Sequence, residues 1–177
     1  MGAIITTFIV GIGLSMDAFS LSLLYGTQGI SKSNKILLSL IVGLFHFFMP
    51  LFGSLFGSII LSYCNFNINV FISIIFGFIG IDMIISGIKE EEVNISFGIV
   101  GYLMFGLSVS IDSFTTGIGF SLINNNSILV SFIFMLCSGI FTYLGLLMGN
   151  YLNKRLGNYA NILGGLIFLF LVLYYLF

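Results

Sequence analysis

Six long apolar runs limit what this chain can fold into more than any other feature does. Hydrophobic residues make up 59% of its 177 residues and charged residues only 6%, whereas about a quarter of a soluble domain is charged. Runs of about 20 apolar residues are long enough to cross the bilayer as helices. The sequence therefore predicts an all-α integral membrane protein with a single transmembrane domain over residues 1–177. Its six transmembrane helices are predicted at about residues 3–25, 36–63, 68–88, 97–122, 127–150 and 159–177.

The basic residues indicate which end of the predicted helices faces the cytoplasm. All five of them fall in loops on one side of the membrane, and the loops on the other side have none. Because cytoplasmic loops are enriched in Lys and Arg, loops one, three and five are predicted in the cytoplasm and both termini outside. So few basic residues form no patch that neutralises phosphates, which excludes nucleic acid as a partner. The basic residues are Lys32 and Lys35 in the first loop (residues 29–35), Lys89 in the third, and Lys154 and Arg155 in the fifth.

Two pairs of similar segments indicate an internal repeat. Residues 11–20 (GIGLSMDAFS) resemble residues 106–115 (GLSVSIDSFT) at an offset of 95 residues, and residues 43–53 resemble residues 139–149. Each copy holds three predicted spans, so the second copy enters the membrane from the opposite side, as in the inverted repeats of many secondary transporters. The copies are predicted at about residues 1–92 and 93–177.

Three aspartates lie inside the predicted spans: Asp17, Asp82 and Asp112. Burying a charged residue at the centre of a bilayer helix costs about 2.5 to 3.5 kcal/mol on insertion scales, so such residues are usually functional. The predicted spans contain no Lys or Arg to pair with them. Protonation, hydrogen bonds from hydroxyl groups, water or a bound cation are the remaining ways to compensate the carboxylates. The inverted repeat is expected to bring Asp17 and Asp112 together near its pseudo-two-fold axis.

Hydroxyl groups accompany both repeated aspartates at helical spacing. Carboxylates, hydroxyls, carbonyls and water suit hard divalent ions such as manganese, magnesium or calcium, and suit copper and zinc poorly. Two further side chains are candidates: Asp82, which has Ser86 one turn away, and His46, which is four residues before the single proline, Pro50. Hydrogen bonding between helices is the alternative role for these polar residues. The predicted metal ligands are Asp17, Asp112, Ser20, Ser108, Thr115, Thr116, Asp82 and His46.

Four motifs resemble the bacterial manganese efflux pumps of the MntP type. They are Ser15-Met16-Asp17-Ala18-Phe19-Ser20, Ser110-Ile111-Asp112-Ser113-Phe114, Met49-Pro50-Leu51-Phe52-Gly53 and Leu163-Gly164-Gly165-Leu166. The resemblance implies a multi-pass protein of the bacterial cell membrane that exports Mn²⁺ and needs Asp17 and Asp112. The chain departs from the family in span two, where His46 replaces an acidic or amide residue, and near Asp82 and Ser86, where the family has a basic residue followed by Glu.

The predicted function is therefore secondary transport of a divalent metal ion, with Mn²⁺ as the transported substrate and no resident cofactor. A related branch of sporulation membrane proteins shares the paired aspartate motif, which leaves a non-transporting or differently specific protein as the alternative. An intramembrane aspartyl protease also uses two aspartates, but neither Asp17 nor Asp112 follows a GxGD pattern. We therefore do not predict an enzyme.

Overall fold

The secondary structure is entirely helical in the part of the chain that the structure, a computed structural model, describes: residues 2–63, 68–89, 98–123, 126–149 and 154–176. These residues form seven α-helices and no β-strand, which confirms the predicted all-α class. The helices are α1 (Gly2–Gly26), α2 (Lys32–Tyr63), α3 (Ile68–Ile88), α4 (Ile99–Ser108), α5 (Ile111–Ile123), α6 (Ser127–Met148) and α7 (Lys154–Leu176).

Five of these helices are each long and apolar enough to cross a membrane. Helices α4 and α5 pass the same test only as a pair, and the pair is bent by 41° at the break between them. With that pair counted once, the described residues hold six candidate spans, as the sequence predicts. Large apolar side chains cover the outside of the bundle, where Phe78 and Phe170 are 70% and 67% exposed. Such a surface is suited to lipid, and the chain is a multi-pass membrane protein.

The bend in the fourth span is a departure from the sequence prediction, which treated residues 97–122 as one helix. Helix α4 ends at Ser108, and α5 begins at Ile111. The hydroxyl of Ser108 donates to the carbonyl oxygen of Phe105 (2.8 Å), and that of Ser110 donates to Leu107 (3.0 Å). Serine hydroxyls that bond to nearby carbonyls compete with the helical hydrogen bonds and bend helices. The new helix start places Asp112 in the first turn of α5, where the helix dipole favours a negative charge.

The start of α2 also differs from the prediction, which ended the first loop at Lys35. The helix begins at Lys32, so both lysines are helical. The side chain of Lys35 is only 7% exposed, and its Nζ donates to the carbonyl oxygen of Leu146 at 2.7 Å. This carbonyl is in the last turn of α6, where a positive charge is favourable. The long aliphatic stem of lysine lets a charged residue extend an apolar span.

Helices α1 and α6 pack closely and run in the same direction. The hydroxyl oxygens of Ser15 and Ser138 lie 3.3 Å apart. Further along both helices, a Cβ built on Gly26 would lie only 3.0 Å from the Cα of Gly149. Both pairs have a sequence separation of 123 residues. Because the separation stays constant along the contact, the two helices are parallel.

Helices α2 and α5 form a second close parallel pair. A Cβ built on Gly117 would lie 2.6 Å from the Cα of Pro50, and one built on Gly57 would overlap the hydroxyl of Ser121. Residue numbers rise on both helices from one contact to the next, so these helices are also parallel, like α1 and α6. Small residues allow helix backbones to approach this closely inside a membrane.

Aromatic side chains fill one end of the bundle. The ring of Phe76 in α3 has its centroid 5.5 to 6.4 Å from those of Phe120, Phe168 and Tyr175. We call these four residues the aromatic core. Phe76 and Phe168 are fully buried, and centroid distances in this range are typical of attractive edge-to-face aromatic pairs.

Candidate metal site

A cavity of about 330 Å³ lies between α1, α3, α4 and α5. Three of its lining side chains are carboxylates, and each comes from a different helix. The remaining polar lining consists of serine hydroxyls. The lining residues are Asp17, Leu21, Asp82, Met83, Ser86, Phe105, Ser108 and Asp112.

Four of the eight predicted ligands line this cavity: Asp17, Asp82, Asp112 and Ser108. The other four lie elsewhere. Ser20 faces α7, since a Cβ built on Gly157 would lie 2.8 Å from its hydroxyl oxygen. Thr115 is half-buried outside the lining, and Thr116 is fully buried with a hydroxyl that has no hydrogen-bond partner. The fourth, His46, is described below.

The cavity extends from the aspartates toward one end of the bundle. On α1 and α3 it continues along Leu21 and Ser86, which follow the aspartates in sequence. On α4 it continues along Phe105, which precedes Asp112. All three helices therefore extend the cavity toward the same end of the bundle, where α1 and α3 end and α4 begins. The predicted basic loops lie at this end. The aromatic core lies on the other side of the aspartates, because Phe76 precedes Asp82 and Phe120 follows Asp112.

Asp17 has a polar partner that the sequence prediction missed. The side-chain nitrogen Nδ2 of Asn161 in α7 donates to Oδ1 of Asp17 at 3.4 Å. Asn161 is 4% exposed, and its own side-chain oxygen, Oδ1, is buried without a hydrogen-bond partner. The sequence feature that could have indicated this partner is Asn161 itself, an amide inside the sixth apolar run.

The cavity offers oxygen ligands only, apart from the thioether of Met83. Such a set fits hard divalent ions that bind carboxylates, hydroxyls and water. Among the described residues, however, no group of three or more His, Cys, Asp or Glu side chains is close enough together to hold a metal ion. The carboxylates share a cavity, but an ion held by all of them directly would require them to move closer together. Without that movement, water would have to supply some of the ligands.

The ring of His46 lies outside the cavity lining. Its Nδ1 lies 3.0 Å from the carbonyl oxygen of Val42, and its Nε2 is buried without a partner. Gly43 and Pro50 lie on the same helix face, one turn before and after it. Gly43 packs against Met135 of α6, and Pro50 packs against α5. His46 therefore lies where α2 meets α5 and α6, and its role as a ligand remains a prediction.

Comparison with known proteins places the sequence in a family. The family model described as "Mntp: Putative manganese efflux pump" matches residues 29–176. The chain belongs to the MntP family. This membership confirms the resemblance that the aspartate motifs predicted, and it supports membrane transport and metal efflux as the family's role.

Several bacterial relatives within the MntP family cover nearly the whole chain. The chain is 32% identical to the "Putative manganese efflux pump MntP" of Bacillus pumilus over 95% of this chain and 92% of that protein. It is 34% identical to the protein of the same name from Bacillus licheniformis, over 96% of this chain and 91% of that one. The Geobacillus thermodenitrificans protein is 32% identical over 96% of this chain and 93% of its own length. No solved structure matches this member of the MntP family.

Proposed function

We propose that this chain exports a divalent metal ion, Mn²⁺ first among the candidates, from the bacterial cytoplasm through a site that pairs Asp17 with Asp112. The observation that carries the proposal is a cavity among the candidate spans that carboxylates from three different helices line. Ionisable residues inside a membrane mark ion pathways. Membership in the MntP family supports manganese as the transported ion.

Equivalent packing contacts support an inverted repeat as the framework of the site. Gly53 and Gly149 hold the same place in the two repeated segments. A Cβ built on Gly53 would lie 3.1 Å from the backbone nitrogen of Ile118, and one built on Gly149 would overlap the carbonyl oxygen of Leu23. Leu23 and Ile118 are separated by 95 positions in the sequence, the same offset as between the two aspartate motifs. Each copy thus packs its second span on the first span of the other copy, as an inverted-repeat transporter does.

The proposed orientation makes the described conformation open toward the cytoplasm. The cavity extends toward the end of the bundle at which α1 leads to Lys32 and α3 leads to Lys89. Cytoplasmic loops are the ones enriched in basic residues. A cytoplasmic ion would enter at this end and reach the aspartates, and its release outside would require the aromatic core to separate.

Reporter fusions test this orientation. We expect reporters fused at Lys32, Glu91 and Lys154 to register as cytoplasmic, and those fused at Asn67 and Asn125 to register as external. A carboxyl-terminal fusion should be external as well. An internal carboxyl terminus would contradict the six-span topology, and with it the inverted repeat and the direction assigned to the cavity.

A reconstituted transport assay tests the function itself. We expect purified protein in lipid vesicles to move Mn²⁺ across the bilayer, measured with an enclosed metal-sensitive dye against protein-free vesicles. Mn²⁺ and other hard divalent ions should move faster than Zn²⁺ or Cu²⁺, because the cavity presents oxygen ligands. Flux equal to that of protein-free vesicles for every divalent ion would reject the transport proposal.

A further inference from the structure

The side-chain amide of Asn161, next to Asp17 of the proposed site, has a hydrogen-bond partner for only one of its two polar atoms. Its nitrogen donates to Asp17, whereas its oxygen is buried and has no partner. A buried oxygen without a hydrogen bond destabilises the fold, and no neighbouring donor in the described residues offsets that cost. Asn161 does not line the cavity and contacts Asp17 from the side of α7. An unpaired acceptor on a side chain that contacts a carboxylate is suited to a positive ligand.

Close helix packing holds Asn161 at the level of Asp17. Gly157 and Gly164 lie one turn before and after it on the same face of α7. A Cβ built on Gly157 would lie 2.8 Å from the hydroxyl oxygen of Ser20, and one built on Gly164 would lie 2.9 Å from the carbonyl oxygen of Gly13. The two glycines let α7 approach α1 so closely that the short asparagine side chain reaches the aspartate.

We propose that Asn161 is a ligand of the transported ion and binds it together with Asp17 after its amide rotates. An N–H group facing Asp17 has no electron pair for a cation. Half a turn about the Cβ–Cγ bond, a torsion with a broad energy profile, exchanges the amide nitrogen and oxygen. The amide oxygen then lies beside Asp17 Oδ1, and the two oxygens face the ion together. This inference rests on the proposed function.

One amide orientation stabilises the site without an ion, and the other stabilises it with an ion bound. Without an ion, the N–H group donates to Asp17 and stabilises its negative charge. With an ion, the amide supplies a neutral oxygen ligand of the kind that hard divalent ions accept. Because the amide adds no charge, it adds affinity without the stronger hold of a further carboxylate, and the ion is still released.

Binding of Mn²⁺ to the purified protein tests this role, followed by loss of the electron paramagnetic resonance signal of the free ion. Asn161→Ala removes the oxygen, and we expect it to weaken binding about tenfold or more, as loss of groups that support metal ligands does. Asn161→Asp keeps an oxygen at the same place, and we expect it to bind at least as tightly as the wild type. The control is Asn158→Ala, three residues earlier in α7 and half-buried, which should leave the affinity unchanged.

Two results would overturn the ligand role: unchanged affinity in Asn161→Ala, or an affinity of Asn161→Asp as weak as that of Asn161→Ala. The second result would mean that Asn161 only orients Asp17 through its N–H group. If Asn161→Ala does not fold, the aspartate variant decides alone, and weakened binding in it rejects the proposal. Binding is separate from transport, so a wild type that binds Mn²⁺ without moving it would end the export proposal and leave this one standing.

Discussion

We expect Asp17→Asn and Asp112→Asn each to abolish manganese efflux while the protein stays in the membrane. Asparagine keeps the size and hydrogen bonding of aspartate but removes the negative charge that a divalent ion needs. It is also cheaper to bury in lipid, so the amount of protein in the membrane should be equal or higher. Efflux is measured in manganese-loaded cells or vesicles with matched expression.

The double variant and Asp82→Asn provide the controls for this experiment. If the two carboxylates act as one site, the double variant should be no worse than either single variant, because residues that act as a unit are not additive. Asp82 is more exposed than Asp17 or Asp112, and its replacement should cost less activity. Normal efflux in both single variants would remove the metal site and leave hydrogen bonding between helices as the role of these aspartates.

The second large effect is expected from Gly117→Ala, a change of one methyl group in α5. The added Cβ would lie 2.6 Å from the Cα of Pro50 and 2.8 Å from its carbonyl carbon. These are backbone atoms, so no side-chain rotation relieves the contact, and α2 has to move away from α5. Overpacking of this kind costs about 1 to 3 kcal/mol. We expect less protein in the membrane and a lower Tm in detergent.

Gly119→Ala is the matched control for Gly117→Ala. Gly119 lies two residues further along the same helix, and a Cβ built on it would meet Ile75 and Phe76 at ordinary contact distances of 3.8 to 4.0 Å. The control variant should keep the wild-type Tm and membrane amount. Equal melting temperatures for the two variants would show that the packing of α2 on α5 does not limit stability.

Apolar run length predicted the spans well because the polar breaks between them are sharp. The third span was predicted at residues 68–88, and α3 is Ile68–Ile88. The length of an apolar run carries no information on hydrogen bonds within it. The break that Ser108 and Ser110 make in the fourth span was therefore not predicted. It also treats lysine as a loop residue, although the buried contact of Lys35 with α6 makes it part of α2.

The site was only partly predictable, for a different physical reason. The cost of burying a carboxylate in lipid identified Asp17, Asp82 and Asp112 from the sequence alone. Helical spacing then gave Ser20 as a neighbour of Asp17, but spacing does not tell which neighbouring helix a face meets. In the structure Ser20 faces α7. The partnership of Asp17 with Asn161 joins residues 144 positions apart, and no local pattern in the sequence records such a contact.

The aromatic core has a consequence for the electrical integrity of the membrane. Phe76 and Phe168 are fully inaccessible, so an ion that reaches the aspartates from the open end meets hydrocarbon beyond them. Hydrophobic constrictions block conduction because water leaves them. In the described conformation we therefore expect the protein to act as an insulator, through which neither protons nor sodium ions run down the voltage across the membrane. We expect a cell that carries many copies of such a protein to keep its membrane potential.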